Sequence, residues 1–448
     1  MKLTFRREST LAWITLVTAA SQNLSYGAGL PAGVLNLESK SAAGRFSAEA
    51  FLQWKASEIQ AAEGVAIGES VHGSEVYEQI ERTLTEKLIQ DFGYRIVFFE
   101  TGWNRSQILS RYIDACTSGT EGVLTADVLN GFYYASTELK SLVEFMCQWN
   151  RDHASDPVYF RGVDVWDRTW ELQDLIEKAN AASSLGLETS LKAIRQNCWG
   201  ADVQNWGEWK VLARISDRLK GVPDEFRIPC EKALSEVEKG LASAGGISSS
   251  DPQVLIAGRA YRNLLARWIH MDQYIGRDAP LSAHWNVRDQ AQAANLVSFV
   301  NELGKKKYVW ITHTSHVSKK GSAASWWGFP KDLYSAGQYL RDHHGLRPFT
   351  IGTTSFKAEG SQGSFLSPTD SRSLDLLLHQ TGMSILGVDV LQGLVAGQTD
   401  WYLECENDAA GDPNGILMNP SEHYDVLIYV DHTTPTPAAA TPVSPYYP

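Results

Sequence analysis

Two short apolar runs, Gly64-Val-Ala-Ile67 and Arg95-Ile-Val-Phe-Phe99, flank a segment whose apolar residues Val76, Ile80, Leu84 and Leu88 recur every four positions. That four-residue recurrence is the period of a helix, so the stretch reads as strand, helix, strand with short links. Such a βαβ unit builds parallel sheet, because a chain that returns to the same sheet edge in the same direction must cross over through a helix. The alternation continues. Further strands are expected at Val158–Asp164, Lys307–Thr312, Pro348–Ile351 and Asp425–Val430, and further helices at 48–62, 135–151, 287–303 and 336–343. Between the third and fourth strands lies a long block that reads as almost entirely helical. The expected fold is therefore α/β: a mostly parallel central sheet with helices on both faces and a helical insertion at about 170–275.

The segments outside this alternation set the domain limits. Lys2, Arg6 and Arg7 precede the apolar stretch Leu11–Ala20, followed at once by small residues, which is the pattern of a secretory signal peptide. Residues 1–20 are expected to be removed, 21–45 to lead into the fold, 46–432 to form one α/β domain, and the Pro- and Thr-rich residues 433–448 to be a disordered tail. From this signal pattern the protein is expected to be exported, periplasmic or secreted, after cleavage, and no later stretch is apolar enough for a membrane anchor. A net charge of −12 gives no electrostatic footprint for nucleic acid. Five cysteines, Cys116, Cys147, Cys198, Cys230 and Cys405, leave at least one thiol unpaired and show no zinc spacing.

Three strand ends carry ionisable residues: Glu69 with His72, Glu100, and His313 with His316. In parallel α/β sheets, residues beyond the carboxyl ends of the strands converge on one crevice however far apart they lie in sequence. Histidines and glutamates meeting there suit general acid–base catalysis. A carboxylate beside an imidazole fixes its tautomer and raises its basicity, and either Glu69 or Glu100 can do this for His72. Ser70 lacks the Gly-x-Ser-x-Gly elbow of a serine hydrolase and reads better as a helix N-cap. Two alternatives stand beside water activation. His72, His313 and His316 with a glutamate can ligate zinc, although the His-Glu-x-x-His helix motif is absent. The same cluster can also belong to a binding protein without turnover. Trp326 and Trp327, in a Gly-, Ser- and Pro-flanked loop after the histidine pair, are candidates for an apolar substrate contact.

Taken in order, these motifs resemble the erythromycin esterase family over roughly residues 50–430. Gly68-Glu-Ser-Val-His-Gly73 is similar to its GE-x-x-HG signature, and Gly93–Trp103 to its second strand with glutamate and following tryptophan. Phe160–Asp164, Arg288-Asp289 with Asn295-Leu296, and Trp310–Val317 resemble later motifs in the same order. The resemblance implies ester or lactone hydrolysis, macrolide ring opening and antibiotic inactivation among the possibilities, with His72 as general base and no cofactor. It implies that Glu69, Glu100, His313, His316 and Arg288 line one cleft, with Trp103 beside them for substrate. One departure concerns the position nine residues after His72, often arginine in the family. Here it is Glu81, with Arg82 next to it, and this reversed charge bears on the substrate.

Overall fold

The computed structural model describes residues 33–41, 44–122, 124, 129, 136–165, 167, 169–198, 224–246, 249–276, 281–321, 333–360, 364–365, 367–390, 400–403 and 416–437. The expected apolar runs all become strands: β2 (Gly64–Glu69), β3 (Ile96–Gly102), β4 (Tyr159–Asp164), β5 (Tyr308–His313), β6 (Phe349–Glu359) and β11 (Val426–Thr433). They are joined by β1 (Val34–Asn36), β7 (Ser364–Phe365) and β8 (Ile385–Val388) in one sheet of order β1-β8-β11-β6-β2-β5-β3-β4, with β7 on the end of β6. β9 (Trp401–Leu403) and β10 (Ile416–Met418) form a separate antiparallel pair. Every pairing from β11 across to β4 is parallel, and only the contacts of β1, β7 and β8 are antiparallel. The α/β class with a mostly parallel sheet is as expected.

Side chains of a strand alternate between faces, and both faces of this sheet are covered. Val65 and Ile67, Val97 and Phe99, and Val309 and Ile311 pack beneath the helices Ala48–Trp54, Glu75–Phe92 and Thr137–Asp152. Ala66, Phe98 and Trp310 point the other way, into a core shared with the helices Thr169–Ser183, Asp224–Ser243, Pro252–Gly276 and Leu281–Glu302. Burial on both faces explains why the central strands read as continuous apolar runs. Of the second set, Thr169–Ser183, Asp224–Ser243 and Pro252–Gly276 fall in the expected insertion between β4 and β5, and Leu281–Glu302 is the helix expected at 287–303.

Three differences from the sequence reading have local causes. The leader contributes β1, whose residues pair with β8 at the sheet edge. The helix Trp103–Ala115 was not expected, because its N-terminus is capped from elsewhere in the chain: Asp167 accepts the backbone N–H groups of Asn104 (2.9 Å) and Arg105 (3.1 Å). Residues 434–437, assigned by sequence to a disordered tail, are held against the turn after β2. Glu75 N–H donates to Thr434 O (2.8 Å), Thr436 N–H to Gly73 O (2.9 Å), and Thr137 N–H to Pro437 O (3.2 Å). Disulfides Cys116–Cys147 and Cys198–Cys230 pair four of the five cysteines; Cys405, residues 1–32 and residues 438–448 lie outside the described residues. Among the described residues no helix is long and apolar enough to cross a membrane.

Candidate active site

β5 returns from the helical insertion to lie between β2 and β3. That insertion brings the ends of four neighbouring strands, β2, β5, β3 and β4, side by side. Glu69 and His313 are register partners across β2 and β5. Continuing the alternation of β2 and β5 places these two on the side of the helix Glu75–Phe92. Glu100 and Thr312 fall on the side of the helix Leu281–Glu302.

On the first side, β2 ends in a tight turn. Gly73 at its end has φ 70°, a left-handed conformation that glycine adopts without penalty. A side chain on Gly68 would meet Val317 Cγ2 at 2.6 Å and the backbone of Thr314 at 2.8 Å, so glycine lets the short helix Thr314–Val317 lie directly on β2. Within the turn, His72 Nδ1 lies 2.7 Å from Glu69 Oε1. With Nδ1–H donated to that carboxylate, the basic lone pair is on Nε2. The His72 side chain is 18% exposed, while Glu69 is buried. The His72 and His313 rings meet edge to face, 5.1 Å between centroids. His313 is fully engaged: its Nδ1 accepts Ser315 N–H (3.2 Å) and its Nε2–H donates to Ser70 O (3.2 Å). It caps the helix Thr314–Val317 and pins the β2 turn at once. Ser70 Oγ donates to Tyr77 Oη at 2.8 Å, so the hydroxyl serves neither as nucleophile nor as N-cap; that cap is Ser74.

On the second side, charges are paired in a closed network. Arg288 is buried and donates from Nε to Asp164 Oδ1 (3.0 Å) and from Nη2 to Asp164 Oδ2 (2.6 Å) and Glu100 Oε1 (2.7 Å). Glu100 Oε2 accepts the Thr312 hydroxyl (2.6 Å) and His313 N–H (2.8 Å). His316 bridges two acids, with Nδ1 2.7 Å from Asp289 and Nε2 3.3 Å from Glu100. Asp289 also accepts Ala336 N–H (2.9 Å), and Gln292 donates to Asp164 Oδ1 (3.1 Å).

These environments set the three histidines apart. Burial and the neighbouring His72 push His313 down to about 3, so it stays neutral. Burial opposes the charge on His316, but Asp289 and Glu100 overcome it and push its pKa up to about 10, which makes it an imidazolium. Burial likewise opposes charge on His72; Glu69 and then Glu100 outweigh it, and its pKa rises above the ordinary histidine value. Burial works against ionised Glu100 too, yet His316, His72 and Arg288 hold it well below the usual carboxylate range. Of the three rings, His72 is the partly exposed one, with its Nδ1 held by Glu69. The metal alternative finds no support in this geometry. Both nitrogens of His313 and of His316 are committed to protein partners. Among the described residues, the one cluster with ligand atoms close enough to share an ion is Cys116, Glu121 and Cys147, whose cysteines form a disulfide.

The structure thus brings His72, Glu69, Glu100, His313 and His316 together and adds Arg288, which pairs with Asp164 and Glu100 and not with its neighbour Asp289. Trp103 is 3% exposed and packed in the core facing the helical insertion, which gives a substrate no face of the ring to lie on. Trp326 and Trp327 lie outside the described residues. Asp164, Asp289, Thr312 and Ser315 were not singled out as site residues. Asp164 and Asp289 did stand inside motifs flagged in the sequence, and their neighbours Gly162-Val163 and Arg288 were the available signal.

A profile of the erythromycin esterase family matches residues 89–433. Among solved structures, the chain is similar to a protein from Bacillus cereus with TM-score 0.67 and 16% identity, covering 94% of this chain and 99% of that one. It is also similar to a succinoglycan biosynthesis protein, with TM-score 0.64, 14% identity and coverage of 95% and 99%. A third is a histidine-to-asparagine variant of the erythromycin esterase EreC in its open conformation, with TM-score 0.64, 12% identity and coverage of 91% and 100%.

Proposed function

Because the chain belongs to the erythromycin esterase family, we propose that it is an exported hydrolase that cleaves an ester or lactone with water activated by His72. The observation that carries this reading is the 2.7 Å contact between His72 Nδ1 and Glu69, which leaves Nε2 as the base. In the reaction, His72 Nε2 takes a proton from water as the oxygen attacks the substrate carbonyl. The tetrahedral intermediate then collapses, the C–O bond to the alkoxy group breaks, and the imidazolium returns its proton to the departing oxygen. In a lactone that oxygen stays attached, so the product is a ring-opened hydroxy acid. Glu69 holds the ring and stabilises its charged form. His313 is a positioning residue, fixing the Ser70 carbonyl and hence the turn that carries His72. Two disulfides support export, since such bonds persist in oxidising compartments.

The test is a hydrolysis screen of the purified protein with macrolides, simpler lactones and simple esters, with and without a chelator. His72→Asn keeps a hydrogen-bonding side chain without a base and is expected to lose ~10²–10⁴-fold in kcat. Turnover that survives His72→Asn, or that a chelator abolishes, would transfer the chemistry to another group or to a metal.

A further inference from the structure

Thr433-Thr-Pro-Thr-Pro437 alternates threonine and proline as the chain leaves β11. A residue before proline is held extended, so Thr434 and Thr436 keep the segment straight. Successive residues of an extended chain turn their N–H and C=O groups to opposite sides, and proline has no N–H to offer. The alternation therefore leaves donors along one side only, as suits an edge segment. That side faces the turn after β2. Thr436 N–H donates to Gly73 O (2.9 Å) and Glu75 N–H to Thr434 O (2.8 Å), around an antiparallel bridge between Ser74 and Pro435. The Thr433 hydroxyl accepts Val76 N–H at 3.1 Å and lies 2.7 Å from the Ser74 hydroxyl. It thus serves the first turn of the helix Glu75–Phe92, which the side chain of Ser74 does not cap. From the other side of the segment, Pro437 O accepts Thr137 N–H (3.2 Å).

What this segment holds is the turn that carries His72. Before His72 the turn is pinned at Ser70, whose N–H donates to the Thr353 hydroxyl (2.9 Å) and whose carbonyl accepts from His313 (3.2 Å). Beneath it lies the chain at the end of β6: a side chain on Gly360 would meet His72 O at 2.3 Å and Val71 Cγ2 at 3.1 Å. After His72 comes Gly73, left-handed and without a side chain to lock it. Glycine moves among backbone conformations more freely than any other residue, so a turn that ends on it keeps its shape only if it is held. The hold at Gly73 is the Thr436 N–H. Its importance for a base is geometric, since a displacement of about 1 Å can cost ~10²-fold in rate.

We propose that residues 433–437 are a positioning strap for catalysis, in which the Thr436 N–H, by holding Gly73 O, fixes the turn that presents His72 Nε2 to water. The strap rests on the hydrolase reading for that role, but its hold on His72 is measurable without a substrate. Three variants isolate it. Thr436→Pro removes the N–H and suits a chain already extended between two prolines. A chain ending at Pro435 loses the same N–H without a new proline. Thr436→Val keeps the N–H and loses only the hydroxyl that Glu78 accepts at 3.0 Å. In the first measurement the His72 imidazole is titrated by NMR in histidine-labelled protein, its resonance assigned by its loss in His72→Asn. Glu69, Glu100, His313 and His316 face His72, and the three variants leave them unaltered. Thr436→Pro and the shortened chain are expected to lower the His72 pKa toward ~6.5 as the contact with Glu69 loosens. A titration that stays in place in both overturns the strap. In the second measurement kcat and KM are compared on one ester. Thr436→Pro and the shortened chain are expected to lower kcat ~10–10²-fold with KM nearly unchanged, and Thr436→Val to recover most of that loss. Full kcat in Thr436→Pro, or an equal loss in Thr436→Val, overturns the role of the N–H. A titration that shifts as expected in a protein that hydrolyses no ester keeps the hold on His72 and counts against the hydrolase reading.

Discussion

The two sides of the sheet's carboxyl edge treat charge in opposite ways. Toward the helix Leu281–Glu302, Glu100, Asp164, Arg288, His316 and Asp289 are buried and matched to one another. Toward the helix Glu75–Phe92, Glu69, Glu78 and Glu81 are equally buried but keep oxygens without donors, and His72 is partly exposed. The same residue types therefore do different work. A closed network is rigid and has little left to offer a ligand, so it serves as a frame that holds β3, β4, β5 and the insertion together. The open side holds reactivity in reserve, and it is where chemistry and recognition are expected.

This contrast can be broken most forcefully at Arg288. Its removal strands the Asp164 carboxylate in the core, and breaking a buried pair in this way costs ~3–5 kcal/mol. Arg288→Ala is expected to lower the unfolding midpoint sharply in chemical denaturation; a variant as stable as the parent would show that the network is not a frame. The second test uses pH. His316, with its pKa raised to about 10, contributes stability that is complete below the ordinary histidine value and is lost as pH rises through about 10. His313, depressed to about 3, contributes stability that is present above the ordinary value and is lost as pH falls toward 3. Thermal melts should therefore weaken toward both extremes, and His316→Gln should flatten the alkaline side. The smallest effect is on the open side. Glu81 has a raised pKa, so its ionisation destabilises the fold as pH rises above the ordinary carboxylate range. Glu81→Gln is expected to be more stable than the parent at pH 9 by ~1 kcal/mol, and no less stable at pH 5. A loss of stability at pH 9 would mean that Glu81 is partnered after all.

The sequence revealed the reactive side better than the frame. Glu69, His72 and His313 sit at strand ends that apolar runs announce, and their meeting follows from the parallel register of β2 and β5. The frame depends on sheet order. That β5 inserts between β2 and β3, and that Arg288 reaches across to Asp164, is a tertiary outcome without a local pattern. The capping of the helix Trp103–Ala115 by Asp167, distant in sequence, was hidden for the same reason. So was the buried acid face of the helix Glu75–Phe92. Its aliphatic period was plain, but period alone does not tell that Glu78 and Glu81 also face inward at the edge of that stripe.

The central claim, that His72 held by Glu69 is the base, is tested most directly by the pH dependence of kcat/KM for the unaltered enzyme and for Glu69→Gln on the same ester. Protonated His72 cannot take a proton from water, so the rate should fall as pH drops through its pKa. Since Glu69 is the largest influence raising that pKa, the fall should begin above pH ~6.5, the ordinary histidine value. Replacing Glu69 with glutamine should move the limb to lower pH and lower the plateau. A limb that stays in place when Glu69 is neutralised would contradict the assignment of His72 as the base.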